Sequence, residues 1–349
     1  NFLGLGSTIS LSGTRNDYGT SVNLGYTEPY FTKDGVSLGG NIFYEDYDNS
    51  DSSTSAAYKR KTYGINGTLG FPVDENNSYY LGLGYTHDKL NNVSREYTRE
   101  KYVKSMGFKY DKNTSYYSKI KADDFDFSLG WNYNSLNRGY FPTQGTSAGI
   151  GGKITIPGSD NKYYRVNADF RNYYPLNREH KWVISTKLGA SYTNGYGGKK
   201  VPFYQLFSAG GIGSLRGFSY GAIGPKAIYY SQNTRAFTEN SEDVVGGNAM
   251  ALASVELIVP TPFISEKFQH NVRTSLFVDA ASVWTTKWKA AKYPNLPDFS
   301  DYKRVRASAG IGFQWQSPIG PLSFSYAKPI KKYTGDEIEQ FQFSIGSTF

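Results

Sequence analysis

The sequence predicts an all-β protein, an antiparallel transmembrane β-barrel with a long loop folded into its lumen. Three observations carry this: period-2 alternation along most of the chain, an apolar face that repeatedly ends in Tyr, Trp or Phe, and connections that alternate between long and short. Mean hydropathy is only −0.53 and 38% of residues are hydrophobic, and no stretch approaches the ~20 apolar residues of a membrane helix. Yet 17% of residues are aromatic, with 31 Tyr, 22 Phe and 38 Gly. Soluble sandwiches also alternate. Here the polar face is rich in Gly, Ser, Asn and charge, as expected of a lumen behind an apolar, aromatic-girdled exterior.

About fourteen segments show the alternation, near 3–14, 18–31, 36–48, 62–72, 78–91, 123–135, 145–157, 163–175, 181–194, 247–260, 271–284, 304–316, 321–331 and 340–349. Each is close to the ~10 residues that a tilted spanning strand needs. In the last of them Phe341, Phe343, Ile345 and Phe349 share one parity, and Gln342, Ser344, Gly346 and Thr348 the other. Likewise Phe125, Phe127, Leu129, Trp131 and Tyr133 alternate with Asp126, Ser128, Gly130 and Asn132. Long polar connections at 49–61, 92–122, 195–246 and 285–303 alternate with turns such as Thr32–Gly35, Pro72–Asn76 and Ser317–Gly320. Outer-membrane barrels place long loops outside and short turns on the periplasmic side, and with the last strand descending every long connection falls outside. The abrupt opening at Asn1, without a targeting segment, suggests that strands precede it in a longer precursor.

Charge and composition exclude much. The net charge of +8 admits anionic partners without choosing among them. With no Cys there is no disulfide, thiolate metal site or Cys nucleophile. His87, His180 and His270 stand far apart, without a second ligand at metal spacing. No G-x-S-x-G elbow is present, and neither Gly211-Ile212-Gly213 nor Gly149-Ile150-Gly151 opens a helix, so both read as turn or lumen glycines. Asp124 and Asp126 share the lumen parity beside Asp123 and read as solvated lumen charge. No catalytic residue, metal site or cofactor is nominated, and the protein is expected not to be an enzyme. The loop 92–122 carries Lys101, Lys104, Lys109, Lys112, Lys119 and Lys121 with Tyr102, Tyr110, Tyr116 and Tyr117 interleaved. Such a pattern can serve single-stranded nucleic acid. Outside a barrel it reads instead as a solvated loop or a contact for lipopolysaccharide, and nucleic acid is not expected as a partner.

The connection 195–246 is too long to be bare. Its centre, Phe207-Ser208-Ala209-Gly210-Gly211-Ile212-Gly213-Ser214-Leu215-Arg216-Gly217-Phe218, is Gly-rich and apolar with a single Arg, unlike a mobile surface loop. It would be stable inside the lumen if Arg216 met carboxylates there. Parity nominates Glu256, because Ala251, Ala253 and Val255 face out, and Asp279, opposite in parity to Leu276. Such a latch serves equally as a fixed plug or a moving part.

Leu215-Arg216-Gly217-Phe218 resembles the [VIL]-R-G-[FY] signature of the polypeptide-transporting outer-membrane barrels, and Phe277-Val278-Asp279-Ala280 resembles that family's companion strand motif. The runs Gly246–Met250 through Pro260–Ser265, and Gln314–Leu322 continuing to Gln340–Gly346, are similar to the branch that assembles β-barrel proteins in Gram-negative bacteria. The resemblance covers essentially the whole chain and is most specific from about 200 to 349. It implies a sixteen-stranded barrel in the cell outer membrane. This chain, 1–349, would be the C-terminal barrel domain with the last fourteen strands, the first two strands and the periplasmic POTRA domains lying upstream. It further implies that Arg216 pairs with Glu256 and Asp279, and that Phe341, Phe343, Ile345, Gly346 and Phe349 lie on one side of a weakly zipped seam. The seam would open as a lateral gate for nascent outer-membrane proteins, with accessory outer-membrane lipoproteins, the bilayer and lipopolysaccharide as further partners. An unpaired strand edge suits that role physically, since it is a ready template for another chain. The alternative is an outer-membrane pore for two-partner-type secretion of a soluble passenger. Unlike some relatives, the loop 219–246 has no Cys pair.

Overall fold

Alternation of apolar and polar side chains, Gly where faces are crowded and Pro or Asp at turns give fourteen long strands. The computed structural model describes the chain except residues 1–3, 5, 17–18, 50–57, 115, 118 and 347–349 and the side chains of 16 and 239–242. The strands are β1 (Thr8–Asn16), β2 (Gly19–Glu28), β3 (Ser37–Asp48), β4 (Lys59–Pro72), β5 (Asn77–Asn91), β6 (Ile120–Asn134) and β7 (Gly145–Thr155). They continue as β8 (Tyr163–Pro175), β9 (Val183–Gly195), β10 (Ala249–Val259), β11 (Val272–Trp284), β12 (Arg306–Ser317), β13 (Gly320–Lys331) and β14 (Phe341–Ile345). All fourteen form one antiparallel sheet in simple chain order, each pairing with its sequence neighbour. The expected segments are present, with ends moved by a few residues. Phe349 lies outside the described residues.

The faces divide as alternation requires. Leu81, Leu83, Phe125, Phe127, Leu129, Leu276 and Val278 are exposed on the outer side, whereas Glu256, Phe277, Asp279 and Gln342 are buried on the inner side. The sheet curls around the β9–β10 connection. Tyr204 of that connection lies under the Arg60 guanidinium of β4, its centroid 4.8 Å away, and Gln205 accepts from Arg165 of β8 at 3.1 Å. Gly217, farther along, reaches β13 and β14 on the opposite side. The edge strands β1 and β14 each have one neighbour in the sheet.

The long connections are not bare loops. The β5–β6 connection holds a helix, α1 (Tyr97–Ser105), whose residues Arg99, Tyr102 and Val103 are buried. Glu96 caps it, accepting from the Thr98 and Arg99 amides at 2.8 and 3.0 Å, and also accepts from the Ile228 amide of the β9–β10 connection at 3.4 Å. Tyr102, Tyr117, Leu90, Val93, Val103 and Ile120 pack with Phe203 and Tyr204 into a cap over this end of the sheet. The buried Arg99 guanidinium lies 4.7 Å from the Phe203 ring centroid and 5.0 Å from that of Tyr58. Burial pushes the Glu96 carboxyl up and the Arg99 guanidinium down from their ordinary values.

Two expectations are corrected here. The connection 92–122 is not simply a solvated loop, because it holds α1, Tyr102 and Tyr117 are core residues of the cap, and Tyr102 donates to Asn161 at 2.6 Å. Asp124 is not solvated either. It is buried and accepts from the Asn161 amide and side chain at 2.8 and 2.7 Å, closing β6 against the β7–β8 turn.

Leu83→Lys, at the middle of the outer face of β5, should destabilise the barrel in a bilayer by about 2–4 kcal/mol, read by urea titration in liposomes. Glu96→Ala removes a helix cap and a bond between two loops, a loss of about 1–2 kcal/mol. Proteolytic cleavage within 92–119 should then quicken roughly 5–30-fold while the heat-modifiable gel mobility of the barrel stays unchanged.

Candidate functional site

The connection between β9 and β10 pairs with itself before it reaches the wall. Phe207 and Gly247 exchange amide–carbonyl bonds at 2.8 and 2.9 Å, Ala209 and Ile223 do the same, and Gly211 accepts from and donates to Leu215 at the tip. Phe207, Ala209, Leu215, Phe218 and Ile223 then pack on Ala281 and Val283 of β11, so the segment is anchored by apolar burial as well as by hydrogen bonds. Two glycines are required by this path. Gly210 has φ +121°, and a Cβ there would collide with the Ser219 carbonyl. Gly217 has φ +91°, and a Cβ there would stand 3.0 Å from that of Ala327 on β13.

This fold-back delivers Arg216 to the inner faces of β10 and β11, where its side chain is 4% exposed. Its Nε and a terminal nitrogen donate to the two carboxylate oxygens of Asp279 at 2.7 and 2.8 Å, the bidentate geometry that suits a guanidinium. The Arg216 amide also donates to Asp279, at 3.2 Å. The same terminal nitrogen lies 2.5 Å from Glu256 Oε1 and donates to Ser254 Oγ at 3.2 Å. Ser254 donates in turn to Asp279 at 2.7 Å. The guanidinium carbon sits 3.4 Å from the Phe277 ring centroid, so its flat face is covered by an aromatic ring. Gly312 on β12 lies against the site: a Cβ there would stand 3.0 Å from Ser275 Oγ and in ordinary contact, 3.5 Å, with the guanidinium. A charge this deeply buried is tolerable only with such complete pairing, and losing one partner from a buried pair typically costs about 3–5 kcal/mol.

Leu215, Arg216, Gly217 and Phe218 thus lie together in the lumen, and Glu256 and Asp279 both meet Arg216. Ser254 and Phe277 complete the set and were not nominated as partners from the sequence. Ser254 shares the parity of Glu256 and stands directly across from Asp279 in register, which is the signal that finds it. A lumenal cavity of about 210 Å³ adjoins the site, lined by Asp169, Arg171, Lys187, Ser214 and Glu256 among others.

The residues expected at the seam form a separate group on β14. Phe341, Phe343 and Ile345 face outward from β14 and are exposed. Gly346 ends the strand with φ +80°, its amide still donating to the Pro321 carbonyl at 2.8 Å. Among the other candidates, the His87 ring stacks on Tyr63 at 4.9 Å and its Nδ1 lies 2.6 Å from Asp123, while His180 Nδ1 lies 2.8 Å from the Thr143 hydroxyl of the β6–β7 turn.

Known proteins of the same build were found by sequence and by structure. The outer membrane protein assembly factor BamA of Neisseria meningitidis is 32% identical over this whole chain, which spans 44% of its length. The namesake from Neorickettsia risticii is 23% identical over 90% of the chain, covering 37% of its length. The crystal structure of BamA from Haemophilus ducreyi lacking POTRA domains 1–3 superposes with TM-score 0.90 and 72% identity, covering all of this chain and 66% of that one. CdiB from Escherichia coli shares the fold alone, at 13% identity and TM-score 0.56 over 98% of this chain and 56% of its own. The chain therefore spans less than half the length of the full-length relatives it matches. The strand order, the outward apolar face and these likenesses make it an antiparallel barrel of the Gram-negative outer membrane. Since the Omp85 superfamily domain matches residues 1–349, from end to end, the chain belongs to the Omp85 superfamily.

Proposed function

We propose that this chain is the barrel of a protein that folds and inserts β-barrel proteins into the outer membrane through a lateral seam between its first and last strands. The observation that carries the reading is β14. Its described strand is Phe341–Ile345, its ladder to β13 has five residue pairs, and it turns Phe341, Phe343 and Ile345 outward. At about 3.4 Å per residue such a strand rises roughly 17 Å, short of the ~25 Å apolar band of an ordinary barrel wall. A short, sparsely paired strand can open and offer an incoming chain backbone donors and acceptors without demanding a side-chain sequence, which is what a template for many different clients needs. No covalent or nucleotide-driven step enters. The work is done by lowering the barrier to strand pairing at the membrane.

On this reading the partners are unfolded outer-membrane barrel chains, accessory lipoproteins of the assembly complex, and the bilayer with its lipopolysaccharide. The exposed lysines of the cap, Lys101 and Lys104 among them, favour contact with anionic headgroups. The Arg216 site is the latch that holds the lumenal segment against β10 and β11. The upstream strands and POTRA domains belong to the same proposal, which is supported by the H. ducreyi relative, whose crystal structure is described as lacking POTRA domains 1–3.

The test uses the complete mature protein in liposomes, with urea-denatured barrel clients added and folding followed by protease protection and gel mobility. Folding should be clearly faster than in empty liposomes, and cross-linking β14 across the seam should abolish the gain. No acceleration, even with the accessory lipoproteins present, would shift the reading to a secretion pore. Arg216→Ala leaves two buried carboxylates without their counter-ion, a loss of about 3–5 kcal/mol. It should lower folded barrel levels or client assembly at least tenfold, and normal growth with normal client levels would remove the latch from the proposal. Asp279→Asn keeps the shape and one acceptor, so its defect should be the smaller of the two in the same assays.

A further inference from the structure

Arg216–Ser219 is held from two directions. Arg216 is clamped to β10 and β11, and the three residues after it are stitched to β14 and the β13–β14 loop, farther along the sheet. Gln342, the inward-facing residue of β14 opposite Ser325, accepts from the Gly217 amide through Oε1 at 3.0 Å and donates from Nε2 to the Phe218 carbonyl at 2.8 Å. The β13–β14 loop adds two backbone bonds, Glu339 N–H to the Gly217 carbonyl at 3.0 Å and Ser219 N–H to the Glu337 carbonyl at 3.1 Å. Gln342 is 6% exposed, while its strand neighbours Phe341 and Phe343 point outward.

We propose that Gln342 is a positioning residue that couples the lumenal segment to the seam strand, so that the state of the Arg216 clamp is felt at the edge that receives clients. The proposal rests on the seam reading above and names the residue through which the lumen acts on it. A primary carboxamide offers an acceptor and a donor from the same planar group, and here both are engaged by consecutive residues, Gly217 and Phe218. A carboxylate, which has no donor, cannot supply the same pair. The ladder of β14 to β13 has five residue pairs. The two bonds from one inward side chain are therefore a large share of what holds its lean and register. An outward swing of β14 breaks both of them. If Arg216 is released instead, Phe218 still packs on Ala281 and Val283, but the hydrogen bonds that tie Gly217–Ser219 to the wall are those to β14 and the β13–β14 loop.

The experiment uses the full-length protein in nanodiscs, with hydrogen exchange read on the peptide covering 341–346 and client folding measured in parallel. Gln342→Met keeps the length of the side chain and removes both bonds. Exchange in that peptide should quicken about tenfold, with β5–β9 unchanged. Gln342→Glu keeps the bond from Gly217 and sets a carboxylate oxygen against the Phe218 carbonyl, so it should fall between wild type and Gln342→Met. It also serves where the Met variant assembles poorly. Because the tie acts as one unit, Arg216→Ala combined with either variant should quicken exchange no further than the stronger single change. Exchange within twofold of wild type in both variants, or factors that multiply in the double variants, would overturn the coupling. Should exchange rise while client folding stays at the wild-type rate, the coupling stands and the seam-insertase reading falls.

Discussion

The burial of a single guanidinium governs the interior of this barrel. Arg216 lies in the lumen with Asp279 engaged at two oxygens, Glu256 and Ser254 beside it and Phe277 across its face. Isolated, such a charge is prohibitively costly to remove from water, so its surroundings are dictated within narrow limits. Two carboxylates must stand on adjacent strands at matching depth, which the pairing of Ser254 with Asp279 achieves. An aromatic must point inward where its neighbours Leu276 and Val278 point out. A buried pair of this kind contributes specificity more surely than net stability, because a wrongly placed segment would leave all three charges unpaired.

The same segment joins parts of the sheet that are remote in sequence. Its base meets β4 and β8 through Tyr204 and Gln205, its tip is clamped at β10 and β11, and its return touches β13 and β14. The sheet is in this way braced from within. The cap over the outer end works alongside it, with α1 and the hairpin that begins at Lys226 tied together through Glu96. Among the described neighbouring pairs of the sheet, β13–β14 has the shortest ladder, five pairs, and this is the weakness that the proposed seam would use.

Much of this was legible before the structure, for a definite reason. A spanning strand of a barrel sees lipid on one side and lumen on the other, so the period of two is imposed on every wall residue. Parity alone therefore placed Glu256, Asp279 and Gln342 on the inner face. Helix α1 escaped notice because its buried stripe, Arg99, Tyr102 and Val103, has the i, i+3, i+4 spacing but begins with an arginine. Periodicity read on apolar residues cannot register a charge that is buried between aromatic rings. Asp124 was misjudged in the same way: its parity was correct, but the carboxylate is covered by Asn161 from a turn 37 positions away.

The sequence by itself determined the strand positions, the inward and outward sets, the end at which the long connections lie and the segment that folds into the lumen. Each of these follows from local periodicity, chain connectivity or turn chemistry. Only the tertiary structure decided which inward groups meet. The bonds of Gln342 to Gly217 and Phe218 span more than a hundred residues, and the stacking of Phe277 on Arg216 depends on depth in the barrel, which parity does not specify. Strand register and loop path set those distances, and both are settled by the packing of the whole sheet around its buried charge.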